Sequence, residues 1–471
     1  MSGTPTQLWQ TFETVSRAVP SNIAIIYGET SLNYSDLREQ CVTLADSWRD
    51  RVKQNNKIRI LISRANPLTT LISILAAWRL DASAAVLPPC GPQKSLGPYM
   101  GTLAPDLVVT DDGVTKIIAA DSRSTRAPEE CLILATSGST VEPKLVALPT
   151  SSIALHAHVM ARDLDVSNSD RFQAAGPLTH AYGLLGGPIA ALQHGATVLL
   201  YSPPLVPSVT QHDIRKHGVT IVQGAASAHR LNLQFWNGKP FESVRLVTQA
   251  GEYFGPTLAS RVAAAYPLAR HVQIFGMTEC GRISQRMITD PVLASNEIGT
   301  PFSHIQWKIM PLDGDGAGDG GLFAVKGPSV MLGYVKARGG YCGLDEDGYF
   351  RSADIVVPTP RGGLRHLGRY DRCFKTGGKL VNPSVVERFL MDQPGVAKAV
   401  CSPKAHEILG YVPTVKVVLE NGAGNDVEDL KALCMSELEP QMVPSEIAVV
   451  ADLPQGISGK TLSGVSSSST P

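Results

Sequence analysis

Apolar positions along the chain recur at two spacings, and the two alternate. Ser35 to Arg49 places Leu37, Cys41, Leu44, Ala45 and Trp48 at helical spacing. Lys57 to Ile62 (KIRILI) reads as a strand, Pro67 to Arg79 as a buried helix, and Ala84 to Leu87 as a short apolar strand. Leu107 to Thr110 and Cys131 to Leu134 read as further buried strands, and Ser151 to Ala161 as a helix. Thr197 to Tyr201 is a strand after a His194-Gly195 helix stop. Thr220 to Val222, Leu246 to Thr248 and Val272 to Phe275 continue the series, with helices between. The alternation predicts an α/β body with mainly parallel sheets and helices.

The pattern changes near Pro291. From there to about Ile355 the chain shows short strands and Gly-rich turns: Gln306 to Ile309, Gly321 to Val325, Tyr349 to Phe350. This predicts a small antiparallel subdomain over 291–369, closing an N-terminal domain of 1–369. After a boundary near Gly368-Arg369-Tyr370-Asp371, residues 370–465 read as a small α+β domain. Its elements are a helix at Ser384 to Met391, strands at Ala397 to Cys401 and Val412 to Leu419, a helix at Val427 to Leu438, and a strand at Glu446 to Val450. The tail 466–471 (SSSSTP) is low in complexity and reads as disordered.

Composition narrows the function class. The 471 residues carry 42 Lys plus Arg against 42 Asp plus Glu, a formal net charge of zero. That balance gives no footing to a nucleic acid or an anionic membrane as partner. The 8 cysteines form no CxxC pair and read as small buried hydrophobes in a reducing, cytoplasmic setting. The start MSGTPTQLWQTFE lacks a basic-then-apolar leader. The apolar run from Pro67 to Trp78 falls short of the roughly 20 residues that a membrane helix needs. Two glycine motifs mislead. PQGISGKT, from Pro454 to Thr461, lacks the first glycine of a nucleotide-triphosphate P-loop. Gly316, Gly318 and Gly321 match GxGxxG but lead into the strand LFAV, not a helix.

The stretch from Thr136 to Lys144, TSGSTVEPK, is the most informative. It follows the apolar strand CLIL and is expected to precede a helix. It sets Thr136, Ser137, Gly138, Ser139 and Thr140 in a row and places Lys144 beyond them. Hydroxyls and backbone N–H groups of such a loop make an anion nest, and the lysine adds a point charge. By itself the stretch also reads as a Ser/Thr-rich surface loop.

This stretch resembles the phosphate loop of the adenylate-forming superfamily: acyl- and aryl-CoA synthetases, peptide-synthetase adenylation domains and beetle luciferases. Val141 and Leu145 replace two of that loop's glycines. Further motifs follow in the family's order and span nearly the whole chain. GPLTHAYG (Gly176 to Gly183) resembles the acyl-pocket segment, QAGEYF (Gln249 to Phe254) the adenine turn, and QIFGMTE (Gln273 to Glu279) the aromatic-Gly-x-Thr-Glu motif. IGTP (Ile298 to Pro301) and KGPSVMLGY (Lys326 to Tyr334) resemble the subdomain signature. GYFRSAD (Gly348 to Asp354) resembles the ribose motif, with Ala353 for Gly. GRYDRCFK (Gly368 to Lys375), with Gly377, Gly378 and VNPSVVE (Val381 to Glu387), resembles the hinge region. LPQGISGK (Leu453 to Lys460) resembles the terminal lysine motif, with Ser463 where the family often has Arg.

The resemblance implies a two-step ligation. A carboxylic acid reacts with ATP to give an acyl-adenylate and pyrophosphate, and a thiol, CoA or a phosphopantetheine, takes the acyl group. It implies that Thr136, Ser137, Gly138, Ser139, Thr140 and Lys144 hold the β- and γ-phosphates, that Thr278 touches the α-phosphate and that Glu279 holds Mg²⁺. Gly251, Glu252 and Tyr253 would form the adenine wall, with Phe275 stacked on the base. Asp354 would bind the ribose, assisted by Arg369. Lys460 would bridge carboxylate and α-phosphate. Asp371 would be the hinge of a mobile C-terminal lid, and Lys375, Gly377 and Gly378 would admit a pantetheine arm.

Leu178, His180, Tyr182, Gly276, Cys280, Gly281 and Arg282 would form the acyl pocket, with His180 beside the carboxylate. His180 also reads as a core histidine. Leu178-Thr179-His180-Ala181 carries no acid for a substrate ammonium, which favours an aryl or small acyl acid over an α-amino acid. Arg282 reads either as a positive group for a second acidic or polar function or as half of a structural ion pair. An acyl carrier protein, or an amine acceptor, is the alternative to CoA, and a non-catalytic paralogue is the second alternative.

Overall fold

The computed structural model describes residues 6–51, 57–89, 96–116, 126–136, 144–290, 296–312, 320–337, 340–420 and 426–453. Three sheets organise the chain, of 13, 8 and 5 strands. The first begins as the alternation predicts. Ile23–Tyr27, Thr197–Leu200, Arg171–Ala174, Ile221–Gly224, Leu246–Ala250 and Arg270–Met277 lie side by side and parallel. These strands are buried on both faces and so read as unbroken apolar runs.

At Arg270–Met277 the sheet changes sense. The strand folds back through a tight turn onto Gly281–Met287, and Glu297–Pro301, Leu364–Arg369, Phe350–Pro358, Gly321–Lys326 and Gln306–Pro311 follow antiparallel. The Gly-rich region therefore continues the large sheet rather than standing apart from it. Gly276 sits where the two hairpin strands nearly touch: a Cβ there would lie 2.3 Å from the Gly281 carbonyl oxygen. The expectation of mainly parallel sheets thus needs correction, because the sheets are mixed.

The second sheet has a parallel centre of Glu130–Thr136, Ala82–Val86, Ile58–Ser63 and Leu107–Thr110. Antiparallel strands flank it, among them Lys144–Pro149 and Gly333–Val335. A second correction follows. TSGSTVEPK joins two antiparallel strands, and its helix, Thr150–Asp163, begins only after Lys144–Pro149. The apolar alternation LVALP extends the hairpin before Thr150 can open a helix. Helices Pro67–Arg79 and Thr150–Asp163 fill the main core between the sheets. Pro67–Arg79 is buried around nearly its whole circumference, which is why it lacks an amphipathic stripe.

The third sheet pairs Lys379–Val381, Phe374–Thr376, Gly410–Leu419 and Val396–His406, with Glu446–Val449 parallel to Gly410–Leu419. It has its own core, formed with helices Pro383–Met391 and Val427–Glu437. Among the described residues no helix is long and apolar enough to cross a membrane.

Candidate active site

A cavity of about 2060 Å³ runs between the two large sheets and the C-terminal unit. The β-hairpin turn at Thr278 and Glu279 enters it from the large sheet, and Thr136 and Lys144 enter it from the second sheet. Thr136 and Lys144 are cross-strand partners at the mouth of the loop, and Thr136 Oγ1 donates to the Lys144 carbonyl at 3.4 Å. Ser137, Gly138, Ser139 and Thr140 lie outside the described residues, as does Lys460.

Tyr334 ties this mouth to the Glu279 turn. Its hydroxyl donates to Glu279 Oε1 at 2.8 Å, and its ring lies 5.0 Å from the Lys144 ammonium. Its own strand pairs with Lys144–Pro149. Burial, with the Glu279 charge beside it, keeps the phenol protonated and donating. Glu279 lines the cavity, and its other oxygen forms neither a hydrogen bond nor an ion pair among the described residues. One free carboxylate oxygen suits Mg²⁺, which takes few protein carboxylates and completes its shell with waters and phosphate oxygens.

Asp354, on Phe350–Pro358, reaches the same wall. His366 Nε2 contacts its Oδ1 at 2.9 Å, and Arg369 Nη1 lies 3.8 Å from Oδ2. Burial would raise this carboxyl, but the His366 bond and charge, with Arg369 beyond, hold it below the ordinary range. It is therefore an ionised acceptor at neutral pH. Phe275 packs between His366 and Phe323, at centroid distances of 5.7 and 6.2 Å, with its remaining surface in the cavity.

Gly251, Glu252 and Tyr253 also line the cavity. The Glu252 carboxylate is engaged elsewhere: it accepts from Ser227 N at 2.6 Å and Ser227 Oγ at 3.0 Å, capping helix Ala226–Asn232. What this turn offers a base is its backbone, with Gly251 at φ +84°. The Tyr253 hydroxyl crosses to the C-terminal unit, donating to Asp392 at 2.9 Å.

On the opposite wall, Leu178, His180 and Tyr182 line the cavity with Gly276, Gly281 and Arg282. Cys280 does not: it is fully buried and belongs to the main core. The chain turns at His180 into a short helix, Ala181–Leu184, which runs on through a π-turn at Leu185–Ile189. Gln223 Nε2 donates to the Tyr182 carbonyl at 2.7 Å and fixes this segment. Gly187 leaves room for the Gln223 amide, which a Cβ would meet at 2.2 Å. Arg282 is 3% exposed.

The C-terminal unit closes the cavity with Arg372, Glu387, Arg388, Lys398 and Glu420, and with Ala451 and Asp452 just ahead of the terminal motif. Arg369 holds Asp371 side-on, Nε to Oδ1 at 3.0 Å and Nη2 to Oδ2 at 2.6 Å. Lys375, Gly377 and Gly378 are not among the cavity-lining residues. Lys375 is an exposed residue of the strand Phe374–Thr376, and Gly377 and Gly378 form the turn from it to Lys379–Val381, both at positive φ, +55° and +84°.

Sequence reasoning missed His366, Gln223, Tyr334 and His156. No spacing rule links His366 to Asp354 or Gln223 to Tyr182. Tyr334 lay inside a motif, but only as part of a signature. His156 is a helical residue whose apolar neighbours conceal it.

Comparison with known proteins agrees with this geometry. The model of AMP-binding enzymes matches residues 111–335, and that of the AMP-binding enzyme C-terminal domain matches 385–460. A feruloyl-CoA synthase of Amycolatopsis sp is 25% identical over 487 residues, covering 95% of this chain and 96% of the relative. A sulfoacetate–CoA ligase of Cupriavidus necator is 28% identical over 336 residues; the match covers 70% of this chain and 65% of that ligase. The solved structure of ATP-bound MatB from Rhodopseudomonas palustris superposes with a TM-score of 0.82 at 19% identity, covering 96% of this chain and 97% of that one. The chain belongs to the adenylate-forming superfamily, the AMP-binding acid–thiol ligases.

Proposed function

We propose that this chain activates a carboxylic acid with ATP and transfers the acyl group to the thiol of CoA. One observation carries the reading. A single cavity presents Phe275, Thr278, Glu279, Asp354 and Lys144 on one side and the His180–Tyr182 segment on the other, beneath a separate C-terminal unit. The named relatives act on small acids with CoA, which supports the same class.

In the first step a carboxylate oxygen attacks the α-phosphorus. The bond to the bridging oxygen breaks, and pyrophosphate leaves with the electron pair. Two anions must meet, so the protein's work is positional and electrostatic. Asp354 accepts from the ribose hydroxyls, Phe275 stacks on the base, and Thr136 to Thr140 with Lys144 take the β- and γ-phosphates. Thr278 donates toward the α-phosphate, His180 flanks the acid, and Lys460 bridges the two reactants. Glu279, oriented by Tyr334, would hold Mg²⁺, which neutralises phosphate charge when bound.

In the second step the thiol sulfur attacks the acyl carbon, AMP leaves, and the thiol proton passes to solvent. The lid of 370–465 turns about Asp371, withdrawing Lys460 and bringing Lys375, Gly377 and Gly378 to the pantetheine. Asp452 at the cavity rim and the distant Gly377-Gly378 turn support reading this arrangement as the adenylating one. A carrier-bound pantetheine is the second reading. The exposed apolar tip at Ile408 (85% exposed), beside Leu409, whose carbonyl accepts from Gly377 N, favours it. Cysteines unpaired among the described residues support a cytoplasmic setting.

ATP–pyrophosphate exchange over a panel of acids tests the first step, and CoA against a phosphopantetheinyl carrier tests the second. Lys460→Ala should lower exchange at least about 100-fold. Exchange with no acid at all, or full exchange in that variant, would overturn the reading.

A further inference from the structure

The strand Gly281–Met287 places Arg282 against the helix Thr150–Asp163, which carries His156 and Met160. Arg282 Nη1 donates to Met160 Sδ at 3.1 Å, and the guanidinium lies 5.2 Å from the Phe302 ring. Among the described residues its Nε and Nη2 have no hydrogen-bond partner, and no carboxylate lies within ion-pair distance. The acid whose charge acts most on it, Asp163, is bonded to Arg162 at 2.8 Å. Both ring nitrogens of the buried His156 are likewise without a partner among the described residues. His156 and Arg282 line the acyl end of the cavity together.

The unsatisfied pair of nitrogens is chemically specific. Nε and Nη2 form the side-on edge of a guanidinium, whose two parallel N–H groups match the two oxygens of a carboxylate. Elsewhere in this protein that edge is used in this way. Arg59 presents it to Glu130 at 2.7 and 2.6 Å, Arg245 to Asp170 at 2.8 and 2.7 Å, and Arg369 to Asp371. At Arg282 the same edge meets no acid among the described residues. Burial lowers the guanidinium only to about 10, so it is charged at neutral pH. Burial and the Arg282 charge lower His156 to about 3, so the imidazole is neutral and offers one N–H and one acceptor. A desolvated, unpaired cation is costly to fold and strongly attractive to an anion that replaces its lost water.

We propose that Arg282, backed by His156, binds a second anionic group at the far end of the acid substrate, so that the preferred substrates are dicarboxylates or sulfo-carboxylates. The reading rests on the acid-activating function above. Arg282 lines the cavity while Nε and Nη2 themselves are buried, so binding requires the guanidinium to turn toward the acid. Gly281, at φ +64°, keeps a side chain from crowding His156, whose Nδ1 a Cβ there would meet at 3.3 Å.

The test compares acids with a terminal carboxylate or sulfonate against length-matched acids ending in a methyl ester or primary amide. ATP–pyrophosphate exchange gives kcat/KM, and equilibrium dialysis of each acid without ATP gives binding. The wild type should favour the doubly anionic acids about 100-fold or more, and Arg282→Met should reduce that ratio to about 3-fold or less. Arg282→Lys should retain part of it, and His156→Phe should lower it. Equal use of charged and neutral acids by the wild type overturns the proposal without reference to any variant. If no acid supports exchange, the ligase reading fails, and dialysis decides the pocket separately. Binding of a dianion that Arg282→Met abolishes supports it; no selective binding overturns it.

Discussion

Replacing Asp354 by Asn isolates how the nucleotide is held. His366 fixes Oδ1 at 2.9 Å, and Oδ2 stands 3.8 Å from Arg369 Nη1. The substitution can keep the His366 contact through the amide oxygen. It then turns an NH₂ toward both Arg369 and the ribose, removing the charged acceptor. A hydrogen bond to a charged group contributes about 1.5–3 kcal/mol. Its loss corresponds to a drop of about 10- to 150-fold in kcat/KM for ATP. The assay is ATP–pyrophosphate exchange at saturating acid with ATP, 2′-deoxy-ATP and 3′-deoxy-ATP, for wild type and Asp354→Asn. If Asp354 holds a hydroxyl, deleting the hydroxyl and changing the residue remove the same interaction. The doubly perturbed pair should then lose little beyond either single change. Losses that simply multiply, for both deoxynucleotides, would refute the ribose role and leave Asp354 as a partner of His366 alone.

Three further outcomes are expected. Tyr334→Phe removes the donor to Glu279 while keeping the ring over Lys144, so the Mg²⁺ concentration for half-maximal exchange should rise about 10-fold; a Mg²⁺ titration of exchange, paired with Mn²⁺ binding followed by electron paramagnetic resonance, checks it. Glu130→Gln strands buried Arg59 and removes an acceptor of Tyr341, costing about 3–5 kcal/mol of stability in urea melts. Burial raises the Glu130 carboxyl, but Arg59 and Tyr341 hold it below its ordinary 4.5, so this contribution is full above that value and should fade as the pH falls through the folded-state value. Tyr253→Phe deletes the bond to Asp392 across the domains, and limited proteolysis near Asp371 should quicken about 3- to 10-fold if that bond, worth about 1 kcal/mol, helps hold the lid.

The elements that were legible from sequence are those whose residues settle their own structure. Pro67–Arg79 has Asn66 as N-cap, proline at its first turn and an apolar run of helical length, and it folds over the stated span. Glu130–Thr136 and Arg270–Met277 announce themselves as apolar runs. Lys144–Pro149 is not legible in this way, because six residues between a loop and a helix start satisfy either period and only pairing with Glu130–Thr136 decides. The site shows the same division. Thr278 and Glu279, in the hairpin turn, and Asp354, on a strand, are fixed by local motifs. Cys280 belongs with neither wall: it sits in the hairpin turn, buried in the main core between the lining residues Glu279 and Gly281. His366 and Tyr334 reach the site through bonds 12 and 55 positions apart in the chain, and His156 lines it beside the distant Arg282; a single sequence carries no signal for such pairings.

Net neutrality and a polyanionic substrate are reconciled by where ion pairs form. Around the cavity, Arg369 is paired with Asp371, Arg372 with Glu387, Arg261 with Glu420 and Lys398 with Asp452. Lys144, Arg230, Arg282 and Arg388 line the same space without a described carboxylate in ion-pair reach. Burial lowers Arg230 and Arg388, the signature of cations kept out of water. A neutral chain can therefore hold a locally positive cavity, provided its surplus acids lie elsewhere on the surface, where water screens them. That separation has a kinetic consequence. Attraction of ATP acts only within the cleft, so association should depend weakly on salt until the nucleotide is inside. Retention of the nucleotide would then fall to the proposed closure of the C-terminal unit rather than to long-range steering.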